Sequence, residues 1–163
     1  MPEPVIWQAH FSLFSGPLHT LGGSMLRDFT MYQLPYTRTC IQVRFSDLDP
    51  LNHVSNSVYA QYFDMARVDY ARRVRQDGEY PWNVVASMKI DYLREICFED
   101  EVVVDTWCSD VGRKSFTLQH RIFANNVCVT TCTVVLVRFD TETRISSPLP
   151  EGWQPTDPAL IPA

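Results

Sequence analysis

The sequence predicts an α+β domain in which a strongly curved, five-stranded antiparallel sheet wraps one long helix. Three observations carry that prediction. One long run, about residues 57–76, places apolar residues at helical spacing. Five other runs have the Val, Ile, Thr and aromatic content of strands. Short separators rich in Gly and Asn join the last three of these runs, as expected of hairpins in an antiparallel meander.

In chain order, residues 1–30 scatter His, Pro, Gly and Asp among modest apolar runs, with no basic stretch leading into a continuous apolar one. That pattern is not a secretory signal. Broken by Gly16-Pro17 and Gly22-Gly23, with Met25 and Met31 as alternative starts, the segment reads as a loosely structured extension. Thr37 to Phe45 forms the first predicted strand, and a short polar connection leads from it to the helix. The helical apolar set is Val58, Tyr59, Tyr62, Phe63, Met65, Ala66, Val68, Tyr70, Ala71 and Val74. These cover more than one stripe, so the helix is expected to be nearly enclosed. Ser55, Asn56 or Ser57 supplies a cap, and Asp77-Gly78 followed by Pro81 supplies the stop. The remaining predicted strands are Val84–Leu93, Glu101–Val111, Lys114–Ala124 and Val127–Phe139. Val111-Gly112-Arg113 and Asn125-Asn126 are the hairpin turns, since Gly and Asn tolerate positive φ. The tail from Ser146 carries five of the eleven prolines and is expected to run irregularly over the surface. The organisation is an extension (1–30), one domain (31–150) and a Pro-rich tail (151–163).

Composition narrows the function classes. A 163-residue chain with 45% hydrophobic and 20% charged residues suits one soluble domain and excludes disorder. A net charge of −5 argues against nucleic acid or anionic membranes as partners, so a phosphorylated ligand would need a local basic patch. Even the apolar run Val127–Phe139 is broken by threonines and an arginine, so no segment reads as a membrane span. Five cysteines without a C-x-x-C pair signal neither a disulfide framework nor a zinc site; reduced thiols and a cytoplasmic setting follow. Cys128 and Cys132, four apart in a predicted strand, are expected on one face as small buried hydrophobes, and no metal role is assigned.

Chemistry concentrates in the connection Arg44-Phe45-Ser46-Asp47-Leu48-Asp49-Pro50-Leu51-Asn52-His53-Val54-Ser55-Asn56. A carboxylate fixed there faces the start of the helix, whose free N–H groups favour an anion or a developing oxyanion. Such an arrangement suits hydrolysis of an acyl bond.

The pattern Arg44-Phe45-x-Asp47-x-Asp49-x-x-x-His53-Val54-x-Asn56-x-x-Tyr59-x-x-Tyr62-Phe63-Asp64-x-Ala66-Arg67 closely resembles the opening motif of the 4-hydroxybenzoyl-CoA thioesterase family. Asp91-Tyr92-Leu93-Arg94, Gly112-Arg113-Lys114-Ser115-Phe116 and Asp140-Thr141-Glu142-Thr143 resemble later pieces of it in the same order, over about residues 36–150. The resemblance implies the hotdog fold, an acyl-CoA thioesterase with no cofactor beyond the CoA of its substrate, and assembly as a homodimer or homotetramer with the site at the interface. It also implies that Asp49 is the catalytic carboxylate, acting as nucleophile or as general base toward water. Asn52 stands where the family commonly has Gly, and Ser55 where many members have Asn.

Each residue has a plainer role beside the functional one. Asp47 suits an ion pair or turn hydrogen bond next to Arg44. His53 suits contact with substrate or orientation of Asp49, and equally a structural hydrogen bond. Asn56 suits a bond to the carbonyl or water, or a helix cap. Asp64, a reserve catalytic carboxylate, is better placed for an i,i+3 pair with Arg67. Arg113 and Lys114, with Arg94, are the basic patch suited to the phosphates of CoA. Tyr59, Tyr62 and Phe63, toward the start of the helix, are the candidate acyl pocket. The long strand Val127–Phe139 and the motif loop are the expected subunit contact, bringing Asp49 near the partner's Trp82–Val85. A non-hydrolytic module that binds acyl-CoA or acyl carrier protein thioesters is the alternative.

Overall fold

The computed structural model describes residues 31–78 and 80–163, so the reading of residues 1–30 lies outside the described residues. Strand β1 (Tyr32–Gln33) precedes β2 (Tyr36–Ile41), the helix α1 (Asn56–Asp77), and strands β3 (Asn83–Tyr92), β4 (Val102–Val111), β5 (Ser115–Ala124), β6 (Val127–Arg138) and β7 (Trp153–Gln154). Five of these form one antiparallel sheet in the order β2-β4-β5-β6-β3, packed on α1. Among the described residues, one long helix against five antiparallel strands is the expected architecture. None of the described helices is long and apolar enough to cross a membrane.

Alternation along β5 shows how the core is built. Phe116, Leu118, His120, Ile122 and Ala124 are buried, while the residues between them lie half-exposed on the outer face. Opposite them, α1 buries Val58, Tyr59, Tyr62, Phe63, Ala66, Tyr70 and Val74, which recur every three or four residues along one face. Each large side chain removed from water contributes about 1.5–3 kcal/mol. At the β5–β6 hairpin, Asn125 and Asn126 have φ of 49° and 64°, the left-handed pair that a two-residue turn requires.

Several expectations need correction. Met65 and Val68 are 40% and 49% exposed, so among the described residues the helix is covered on one face rather than enclosed. The first strand stops at Ile41, where pairing with Val102 ends, and Phe45–Asp47 winds into a 3-10 turn. The tail does not simply cross the surface. β7 pairs in parallel with β1, and Trp153 is buried edge-on to Phe116 at 5.5 Å. Thr156 Oγ1 accepts from Cys108 N and donates to Pro35 O, both at 2.9 Å, fastening the tail to β4. Cys128 and Cys132 lie on opposite faces: a bulge between Ile122 and Phe123 pairs Cys128 with outward Phe123 and Cys132 with inward His120. In this sheet β6 is hydrogen-bonded to β5 on one side and β3 on the other, and the two edge strands are β2 and β3.

Candidate active site

The motif loop folds as a miniature hairpin stitched to the helix start. Leu48 bridges Val54, Asp49 N donates to His53 O at 2.8 Å, and Asn52 N donates to Asp49 O at 3.0 Å. The reversal needs one residue in left-handed backbone, and Asn52 supplies it at φ 63°. Asn is among the few non-glycine residues that tolerate this region, so the loop is built without a glycine. The second side of the hairpin is held from outside, with Val54 N donating to Ile96 O at 2.8 Å and His53 bridging Cys97.

The two motif aspartates do different jobs. Asp47 is buried, and its Oδ2 accepts from Arg44 N at 2.9 Å and from Tyr62 Oη at 2.8 Å. Its backbone O also accepts from Ser55 N at 2.9 Å, so Asp47 ties the strand end, the loop and α1 together. Burial, and then the hydrogen bond and charge of Asp47, push the Tyr62 phenol well above its ordinary value and keep it a donor. Asp49 is half-exposed, with Oδ1 accepting from Leu51 N at 2.8 Å and His53 N at 3.3 Å. Its Oδ2 has no hydrogen bond among the described residues.

Asp49 opens onto a cleft of about 250 Å³ whose lining includes His53, Asn56, Tyr59, Tyr92, Arg94 and Glu95. Tyr59 and Tyr92 form one wall, edge to face with centroids 5.0 Å apart. Tyr92 Oη donates to Asn56 O at 3.3 Å, which ties the end of β3 to the start of α1. Ser55 is the N-cap residue, but no side chain caps the helix, so the amides of Asn56 and Ser57 in its first turn have no intrahelical partner. His53 Nε2 is 3.8 Å from Glu95 Oε1, with the Cys97 thiol close by.

The structure therefore gathers Asp49, His53, Asn56, Tyr59 and Arg94 at one cleft. It does not gather the others. Tyr62 is engaged by Asp47, and Phe63 is fully buried beneath the helix with its ring 5.3 Å from that of His120. Asp64 pairs with Arg67 on an exposed stretch of α1, about 12 Å along the helix from Asn56 at 1.5 Å per residue. Arg113 and Lys114 sit in the β4–β5 turn, where Lys114 Nζ donates to Ser146 O at 3.0 Å. That turn is at the opposite end of β5 from the cleft, about 30 Å away at the rise of an extended strand. Sequence reasoning missed Tyr92 and Glu95 as lining residues. The signal was present in Asp91-Tyr92-Leu93-Arg94, of which only Arg94 was given a site role.

Comparison with known proteins follows the same outline. Residues 43–156 match the thioesterase-like superfamily. A thioesterase from Thermus thermophilus, solved with coenzyme A and Zn, is 37% identical, covers 73% of this chain and 94% of its own, and has a TM-score of 0.64. A predicted thioesterase from Bacillus stearothermophilus is 25% identical over 72% of this chain and 90% of its own, with a TM-score of 0.66. The 4-hydroxybenzoyl-CoA thioesterase of Pseudomonas sp. strain CBS-3, at 19% identity, covers 71% and 94% of the two chains with a TM-score of 0.62, a likeness of hotdog fold alone. The uncharacterized protein YsmA of Bacillus subtilis (strain 168) is 32% identical over 82 residues. That match spans 49% of this chain and 56% of YsmA.

Proposed function

Because this chain belongs to the thioesterase-like superfamily, we propose that it hydrolyses acyl-CoA thioesters to the free acid and CoA at the Asp49 cleft. One observation carries the reading: a carboxylate held at one oxygen by two loop amides and left unengaged at the other, in a cleft that starts at a helix N-terminus. The held oxygen fixes orientation, which is worth more to a reaction than added contact. The unengaged Oδ2 either attacks the thioester carbonyl, expelling the thiolate and giving an acyl anhydride that water then hydrolyses to the free acid and the Asp49 carboxylate, or takes a proton from a water that attacks that carbonyl. In both courses negative charge develops on the carbonyl oxygen, and the Asn56 and Ser57 amides are the nearest unspent donors of the helix start. His53 and the Asn56 side chain border the same space and orient the carbonyl or the water.

The assembly we propose is a homodimer joined through β3. This ten-residue strand is a sheet edge, and Val84, Val85 and Tyr92 on it are exposed, with Trp82 69% exposed just before it. Pairing it antiparallel with its copy about a two-fold axis would extend the sheet across both subunits. The Tyr92 end, beside the cleft, would then meet the partner's Trp82 end. The partner subunit's Arg113 and Lys114 would approach the cleft from that end, giving a polyanionic CoA the cations that this chain's own turn cannot bring. A tetramer of two such dimers is compatible with this pairing.

The test is release of free CoA from a panel of acyl-CoAs, followed with a thiol reagent, for the wild type and Asp49→Asn. Turnover should fall about 100-fold or more in the variant, in line with loss of a positioned base or nucleophile. Binding of acyl-CoA without release by the wild type would replace hydrolysis with the binding-module reading. Heavy-oxygen label found in Asp49 after turnover in labelled water would identify the nucleophilic course.

A further inference from the structure

At the rim of the cleft three potential metal ligands converge. A His53 ring nitrogen, a Glu95 carboxylate oxygen and Cys97 Sγ all lie within 4.8 Å of one another, and His53 Nε2 is 3.8 Å from Glu95 Oε1. The supporting backbones are fixed independently of any ligand. His53 and Cys97 face each other across a β-bridge, and Cys97 N donates to Asp100 Oδ2 at 2.7 Å. Asp100 is in turn held through its Oδ1 by Asn125 Nδ2 at 2.7 Å. In a tetrahedral zinc site with bonds of about 2.0–2.3 Å, ligand atoms stand roughly 3.5 Å apart. The Glu95 side chain is exposed, so it has rotamer freedom to approach the other two ligands.

We propose that His53, Glu95 and Cys97 bind one borderline divalent ion, with Zn²⁺ the best match, through imidazole nitrogen, carboxylate and thiolate. The donor set selects for this class: a hard oxygen cage would suit Ca²⁺ or Mg²⁺, whereas nitrogen and sulfur together favour Zn²⁺ and its neighbours. On binding, the Cys97 S–H bond breaks, its proton passes to solvent, and the sulfur electron pair forms the bond to the ion. The fourth position is left to water. Since His53 and Glu95 also line the Asp49 cleft, the ion occupies the rim and lowers turnover, a consequence that rests on the thioester hydrolysis proposed above.

Cobalt(II) is the direct probe, because thiolate ligation produces a near-ultraviolet charge-transfer band that carboxylate and imidazole do not. Titration of the metal-free full chain should saturate that band at one ion per chain, and added Zn²⁺ should displace it. Cys97→Ser should abolish the band. His53→Ala and Glu95→Gln should each weaken binding about tenfold or more. Cys97 is exposed and does not line the cleft, so Cys97→Ser should keep the melting temperature and metal-free turnover of the wild type while losing inhibition by Zn²⁺. A wild type with no band, or a Cys97→Ser chain with the same band, overturns the site. Equal zinc inhibition of both chains overturns the effect on turnover. A saturable band in a chain that hydrolyses nothing would uphold the metal site while removing the hydrolase reading.

Discussion

His120 sits at the centre of β5 with 1% of its surface exposed, under the helix and against the ring of Phe63. Its Nδ1 is 2.8 Å from Thr106 Oγ1, and its Nε2 has no partner among the described residues. Burial, then the nearby Arg67 guanidinium, lower its pKa from 6.5 to about 3, so the folded protein keeps this ring neutral. In the unfolded chain the same ring takes up a proton below about pH 6.5. Between the two values the unfolded state binds the extra proton, and stability falls as pH falls, by about 1.4 kcal/mol per pH unit. Above pH 6.5 the group contributes no pH dependence. From pH 7 to pH 5 its share of the loss is about 2 kcal/mol. The perturbation is His120→Gln, which keeps a neutral partner for Thr106 but cannot titrate. Urea unfolding at pH 7 and pH 5 for both proteins gives the double difference, which cancels the other titrating groups. The wild type should lose about 2 kcal/mol more than the variant over that interval. Parallel losses would show that His120 is protonated in the fold or unburied, and would refute the reasoning.

Two further outcomes concern the scaffold. Tyr62→Phe removes the buried hydrogen bond to Asp47 Oδ2 and should lower stability by about 1–3 kcal/mol in denaturant unfolding, with turnover falling as the motif loop loosens. Trp153→Ala empties a site bounded by Phe116 and Tyr80 and should cost about 3–5 kcal/mol; a melting temperature near that of the wild type would return the tail to the surface.

How far the sequence was legible depends on the range of the interactions. Turns and strands set by neighbours were readable: Asn125-Asn126 announces a left-handed pair, and alternation along 115–124 gives the buried face directly. Asp47 was readable for the same reason, since its turn bond reaches only to Arg44 three residues away, although the acceptor role toward Tyr62 needed the fold. Features set by distant partners were not. Burial of the tail depends on Thr156 meeting Pro35 and Cys108, and no local pattern in a Pro-rich segment encodes that. A one-residue bulge reversed the facing of Cys128, because period-two reasoning assumes an unbroken ladder. The superfamily match runs to residue 156, and Trp153 and Thr156 are buried by those same distant contacts. At the cleft, Asp49, His53, Asn56 and Tyr59 of the motif lie together, whereas Glu95 and Cys97 reach His53 only through pairing of the segment after β3 with the motif loop.

The separation of the basic turn from the cleft makes a sharp demand on the proposed assembly. An acidic chain with net charge −5 must hold a polyanionic CoA, and the cleft itself offers one arginine, Arg94, beside Glu95. Arg113 and Lys114 can help only if another subunit presents them, because about 30 Å of β5 lies between them and Asp49 on the same chain. Arg113→Ala with Lys114→Ala should therefore raise KM for acyl-CoA more than it lowers kcat, the signature of contacts made equally to substrate and transition state. Origin of the contacts is then decided by mixed dimers. A chain carrying Asp49→Asn supplies intact Arg113 and Lys114, and a chain carrying the double alanine change supplies intact Asp49. If the cations cross the interface, each mixed dimer holds one complete site and one doubly defective site, and purified heterodimers should show wild-type KM at about half the wild-type kcat. If the cations serve their own chain, no site is complete and the raised KM persists. A monomer near 18.8 kDa in light scattering with undiminished turnover would remove the shared site altogether.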